Sequence, residues 1–118
     1  MTQPVVHFEV LGPDGKVLQD YYSSLFDWKI NADNPMNYGM VEPGQGGIAG
    51  GVAASPEGKP TVTFYVQVAD LQAALDKAEK LGGKTATPPM DVPGGPSIAH
   101  FTDPAGNLVG LVDRKSVV

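Results

Sequence analysis

The chain contains no cysteine. That excludes disulfides, a thiolate nucleophile and any cysteine-ligated zinc or iron–sulfur centre. Cations are scarce as well: 8 Lys and Arg stand against 13 Asp and Glu, a formal charge of −5. Nucleic-acid binding needs clustered basic side chains that neutralise phosphates and release counterions. No such cluster exists, so no nucleic-acid partner is expected, and an anionic membrane surface would repel the chain. No apolar run approaches the ~18 residues that a spanning helix requires. The opening residues, MTQPVVHFEV, lack a basic segment followed by an apolar block, so no secretory leader is expected and the default location is cytoplasmic.

What remains is the composition of an ordinary folded domain. With 118 residues, 42% hydrophobic and 18% charged, one core can form without metal or disulfide staples. The stretch 60–84, PTVTFYVQVADLQAALDKAEKLGGK, predicts a strand, a turn, an amphipathic helix and a glycine stop. Residues 4–30 repeat that plan, with His7-Phe8 answering Thr63-Phe64 at an offset of 56. An internal repeat of this kind predicts two similar modules, about 4–54 and 60–113, joined by a linker at 55–59.

Within the first module, VVHFEVL (5–11) alternates, placing Val6, Phe8 and Val10 on one face and Val5, His7 and Glu9 on the other. GPDG (12–15) reads as a turn. From Lys16 to Asp27, Leu18, Tyr21, Tyr22 and Leu25 fall at helical spacing and predict the stripe that covers the sheet. Strands are expected from Trp28, at 38–42 and at roughly 48–53. The glycine-rich PGQGGIAGG lacks the GK[ST] of a phosphate-binding loop and reads as a hairpin. In the second module Val62, Phe64, Val66 and Val68 share one face, and Thr61, Thr63, Tyr65 and Gln67 the other. Asp70 is a helix N-cap, Leu71, Ala74, Leu75, Ala78 and Leu81 form the buried stripe, and Gly82-Gly83 ends the helix. A strand at 84–87, a loop at 88–96, a hairpin through DPAGN (103–107), a last strand LVGLVD and a loose tail complete the chain. The prediction is an α+β domain of two βαβββ modules. The helices cover the outer face, and the polar residues line the concave one.

The repeated HFEV…YYSSLFDWKI, the module FYVQVADLQAALDKAEKLGGK and the late DPAGNLVGLV together resemble the vicinal oxygen chelate superfamily, which includes glyoxalases, bleomycin-resistance proteins and extradiol dioxygenases. The resemblance covers nearly the whole chain. It implies one U-shaped eight-stranded mixed sheet with a helix per module outside, a homodimer, and a small organic molecule held in the cleft. Metal-dependent members hold a divalent ion with a His on the first strand, a carboxylate on the fourth, a His or equivalent on the fifth and a Glu on the eighth. Carried onto this chain, those positions are His7, one of Ala49, Gly50 and Gly51, then Thr63 and Gly110. A single imidazole does not offset the dehydration of a divalent ion, so no metal and no other cofactor is expected. Glu9 and His100 would be needed for any rearranged site.

Three readings follow. The favoured one is a metal-independent small-molecule-binding protein whose ligand meets His7, Glu9, Thr63, Tyr65, Gln67, His100 and the backbone at Gly110. His7 is the candidate catalytic group if chemistry occurs. The second is a metal-dependent glyoxalase-like lyase, isomerase or dioxygenase. The third is an accessory module without a ligand, whose cleft its own side chains fill. Trp28, Tyr38, Met40 and Phe101 are expected to pack the core or a dimer contact, and Asp103 and Asn107 to serve the turn.

Overall fold

A computed structural model of the protein describes residues 2–113. Its elements are β1 (Val5–Gly12), α1 (Gly15–Phe26), β2 (Ile30–Asn31), β3 (Gly39–Val41), β4 (Ala49–Ala54), β5 (Thr61–Val68), α2 (Leu71–Lys80), β6 (Lys84–Asp91), β7 (Ser97–Thr102) and β8 (Leu108–Asp113). The order β-α-β-β-β occurs twice, with parallel and antiparallel strands mixed, which is the predicted α+β class. The tail expected to be loose lies outside the described residues. Two compact units divide the chain. One is Val6–Thr63, and the other holds Val5 and the chain from Phe64 onward.

In the N-terminal unit the strands run in the order β2-β3-β4-β1. β1 pairs β4 in parallel, setting His7 beside Ala49 and Glu9 beside Gly51. β3 and β4 are antiparallel, with Met40 opposite Gly51. α1 begins at Asp14, whose carboxylate accepts from Val17 N–H at 3.2 Å, and ends at Asp27 in the left-handed region at φ 58°. The predicted apolar stripe of this helix is only half covered: Leu18 and Tyr22 are half-buried. Its buried residues are Gly15 and Gln19, while Tyr21 (57% accessible) and Leu25 (53%) face outward. Gln19 docks the helix through hydrogen bonds instead: Nε2 donates to Val52 O at 2.8 Å and to Asn37 O at 3.1 Å. The apolar contact comes from the helix end, where Tyr22, Phe26 and Phe8 surround Trp28 at ring separations of 5.2–5.4 Å.

In the C-terminal unit the order is β5-β8-β7-β6. β5 and β8 are parallel, with Tyr65 beside Gly110, and β7 runs antiparallel to β8, with His100 on the other side of that glycine. Val68, Leu71, Leu75, Ala99 and Leu111 form the core, with Val66, Ala74 and Phe101 against it. Full burial of Leu75 alone stabilises by about 1.5–3 kcal/mol. Asp70 caps α2 as predicted, accepting from Ala73 N–H at 3.0 Å. Leu81 is not part of the buried stripe; it lies at the helix end, exposed.

Two further expectations change. β6 continues to Asp91 through Pro88 and Pro89, where a loop was predicted. It is the last strand in its unit's order and its register against β7 shifts twice, between Thr85 and Thr87 and between Thr87 and Met90. An outer strand with bulges is where proline's missing N–H costs least. On β5, Thr63 and Tyr65 are buried at 5% each, whereas Val62 and Phe64 are exposed. The predicted apolar face is thus covered only in its second half, at Val66 and Val68, while Thr63 and Tyr65 on the face predicted to be open are covered as well.

Candidate functional site

β1 presents His7 and Glu9 on one face, two residues apart, and Tyr38 at the head of β3 comes between them. The Tyr38 hydroxyl donates to Glu9 Oε2 at 2.9 Å and lies 2.9 Å from His7 Nε2. A phenol has one proton to give. With that proton on Glu9, the oxygen accepts from His7, which places the imidazole proton on Nε2. Partial burial holds the His7 pKa below its ordinary value, so the ring is neutral near pH 7. The result is one directional chain of hydrogen bonds from His7 through Tyr38 to Glu9.

The backbone around Tyr38 is fixed by side chains. Asn34 pairs with it twice, donating from Nδ2 to Tyr38 O at 2.7 Å and accepting from Tyr38 N–H at 2.9 Å. Asn37 precedes it in the left-handed region at φ 52°, a conformation asparagine adopts more readily than most residues. Gln19 of α1 holds the Asn37 carbonyl. Sequence reasoning placed Tyr38 among the packing residues and so missed it as a site residue. The readable signal was Gly51, a gap in an otherwise side-chain-bearing face.

Gly51 is the space that the Tyr38 ring fills: a β-carbon there would fall on its hydroxyl and ring carbons. Gly50, facing the opposite way, makes the same allowance for the Phe8 ring. The C-terminal unit repeats the device. Tyr65 stands at the position equivalent to Glu9, 56 residues on, and its ring lies over Gly110 to reach His100 on β7, Oη to Nε2 2.8 Å. The rings meet edge to face with centroids 5.4 Å apart. His100 Nδ1 is buried without a hydrogen-bonding partner. An unpaired lone pair costs less than an unpaired N–H, so the proton belongs on Nε2, donated to Tyr65. Burial lowers this pKa too.

Of the sequence-predicted residues, the structure thus joins His7 to Glu9 through Tyr38, and Tyr65 to His100 across Gly110. Thr63 is buried on β5, and Gln67 is half-buried two residues beyond Tyr65. Met40 is exposed and so does not pack the core of its unit, whereas Phe101 lies against the core. Asp103 closes its turn as predicted, accepting from Asn107 Nδ2, Asn107 N–H and Ala105 N–H, each at 2.9 Å.

A divalent ion does not fit this donor set. The fourth- and eighth-strand positions carry no coordinating side chain, and the room a carboxylate would take at Gly51 and Gly110 is filled by Tyr38 and Tyr65. Among the described residues, no three His, Asp or Glu side chains cluster closely enough to hold a metal. Cavities of about 460 and 610 Å³ occur in the C-terminal unit, but neither is lined by Tyr65 or His100.

The family model for the Glyoxalase/Bleomycin resistance protein/Dioxygenase superfamily matches residues 5–111. The chain belongs to that superfamily. Among curated proteins it is similar to "Putative glyoxylase CFP32" of Mycobacterium bovis, 33% identical over 113 residues, covering 83% of this chain and 41% of that protein. It is also similar to "Anthracycline biosynthesis protein DnrV" of Streptomyces peucetius, 27% identical, covering 94% of this chain and 46% of that one. The chain therefore spans less than half the length of these relatives. Solved structures share its fold. A hypothetical protein of Bacillus halodurans superposes with a TM-score of 0.70 at 14% identity, covering 100% of this chain and 99% of that one. Methylmalonyl-CoA epimerase of Mycobacterium tuberculosis does so with a TM-score of 0.66 at 16% identity, covering 92% of this chain and 86% of that one. No described helix is long and apolar enough to cross a membrane.

Proposed function

We propose that this domain binds a small organic molecule at the His7–Tyr38–Glu9 group of its N-terminal unit without a metal ion. The observation that carries the reading is the filling of the two glycine gaps by Tyr38 and Tyr65, where metal-dependent relatives would need carboxylates. What stands there instead suits neutral recognition. The Tyr38 hydroxyl and the His7 Nε2–H can turn to a ligand carbonyl or hydroxyl oxygen, and Glu9 accepts from a ligand hydroxyl or amine. Such groups, few and convergent, are what fix orientation in small-molecule sites. The names of the relatives, a glyoxylase and an anthracycline biosynthesis protein, agree with a small organic ligand. Their full activities belong to proteins more than twice as long.

The test is a thermal-shift screen of carbonyl and polyhydroxylated compounds, run with and without a chelator. A ligand that raises the melting temperature equally in both conditions supports the proposal. Tyr38→Phe should then weaken that ligand by about tenfold, the loss of one hydrogen bond worth ~1.4 kcal/mol. A ligand shift or a hemithioacetal- or catechol-directed activity that disappears on chelation would replace this reading with the metal-dependent one.

The same filled gaps favour a second reading, an accessory module with no ligand. In that case Tyr38 and Tyr65 are the permanent occupants of their own faces. The absence of a shift across the whole panel, with Tyr38→Phe changing stability only, would select it.

A further inference from the structure

The 610 Å³ cavity beside α2 is used by neither the fold nor the proposed site, since none of His7, Glu9 and Tyr38 lines it. Its cause is readable in the helix. Leu71 and Leu75 fill the core, whereas the adjoining flank carries only alanines, Ala73, Ala74 and Ala78. A methyl group cannot fill the space that a leucine would, so dense packing at Leu75 gives way to a void beside it. The strand residues lining that void are Val68, Phe101 and Leu111. Leu81 lines it too and is 70% accessible. A lone exposed leucine is ordinary, but here it extends an apolar cavity. Among the polar side chains of the lining, both carboxylates are already engaged. Asp70 caps α2, and Asp103 accepts from Asn107 and Ala105. Lys77 is not: among the described residues no carboxylate lies within ion-pair distance of its ammonium. Asp70 is seven residues away along the helix, about 10 Å and so about one Debye length at physiological salt.

We infer that this cavity binds a medium-chain aliphatic carboxylate, its chain against the alanines and its head on Lys77. The volume falls within the range of about 300–1,000 Å³ typical of small-molecule sites. The lining runs the length of α2, ten residues or about 15 Å, which favours an extended occupant over a compact one. Burial of the chain against apolar side chains supplies most of the affinity. The uncommitted lysine selects the head group. A carboxylate gains a charge-assisted hydrogen bond there, an alcohol gains only a weaker one, and a quaternary ammonium is repelled.

The test is a titration of the whole chain with decanoate, decan-1-ol and decyltrimethylammonium, each below its micelle concentration, followed by amide NMR and calorimetry. Decanoate should bind saturably and shift the amide signals of Ala73, Lys77 and Gly83. It should bind about three- to tenfold more tightly than decan-1-ol, the range set by one lysine contact at an exposed rim. Lys77→Met should remove that preference while leaving the melting temperature unchanged, because the side chain is exposed. Ala73→Leu, which narrows the cavity from its exposed rim, should weaken decanoate and decan-1-ol alike. No saturable binding of decanoate, equal or tighter binding of either other probe, or an affinity unchanged by Lys77→Met would overturn the inference. So would shifts centred on Tyr38, which would put decanoate at the His7–Tyr38–Glu9 group instead.

Discussion

An alanine at Gly110 would push its methyl group into the Tyr65 ring, which crosses that strand to reach His100. Overpacking of this kind costs about 1–3 kcal/mol. Gly110→Ala should lose that much in urea denaturation, and much less in a Tyr65→Ala background, because the clash has gone. Gly51→Ala should behave alike towards Tyr38. Additive losses in the double variants would mean that the glycines serve something other than the tyrosines. The two histidines make a second residue-level prediction. Burial holds both pKa values below the ordinary 6.5, so in the unfolded chain each takes up its proton at a higher pH than in the fold. Stability is then full well above pH 6.5, declines as pH falls through 6.5, and levels off below the folded values. His7→Gln with His100→Gln should flatten that part of the stability profile. A slope that survives both changes would assign it to other groups.

At the scale of elements, α1 is the informative case. Its periodicity located the helix within a residue, and the acid preceding it proved to be a cap. Periodicity found Leu18 and Tyr22 on the inner side but missed Gln19, a polar residue that does the docking through the Val52 and Asn37 carbonyls, and wrongly included Tyr21 and Leu25. Gln19→Ala removes a donor from two carbonyl groups, one of them in β4, and should cost about 1–3 kcal/mol in equilibrium unfolding. A loss within experimental error would show that α1 is held by the Trp28 cluster alone. On α2 the same reasoning worked, since Leu71 and Leu75 carry the burial and Asp70 the cap. β6 escaped full prediction because two prolines argue against a strand except on an outer, bulged one. Whether a strand is outermost is a property of the pairing order, which local sequence does not contain. β5 makes a similar point: Val66 and Val68 reach the core while Val62 and Phe64 on the same face do not, because what packs against the strand changes along its length.

For the molecule as a whole, the repeat at an offset of 56 made the doubled β-α-β-β-β plan legible, because two copies of one pattern constrain each other. The candidate site was only half legible. His7, Glu9, Tyr65 and His100 stood out as polar groups on strands, but their pairing required Tyr38 and two glycines whose meaning is the absence of a side chain. The central claim is that those filled gaps leave no place for a divalent ion. Elemental mass spectrometry of untagged protein, purified without chelator and after incubation with zinc, nickel, iron and manganese salts followed by gel filtration, tests it most directly. The account predicts retention far below one ion per chain for every metal. A retained, near-stoichiometric ion that His7→Ala releases would contradict it.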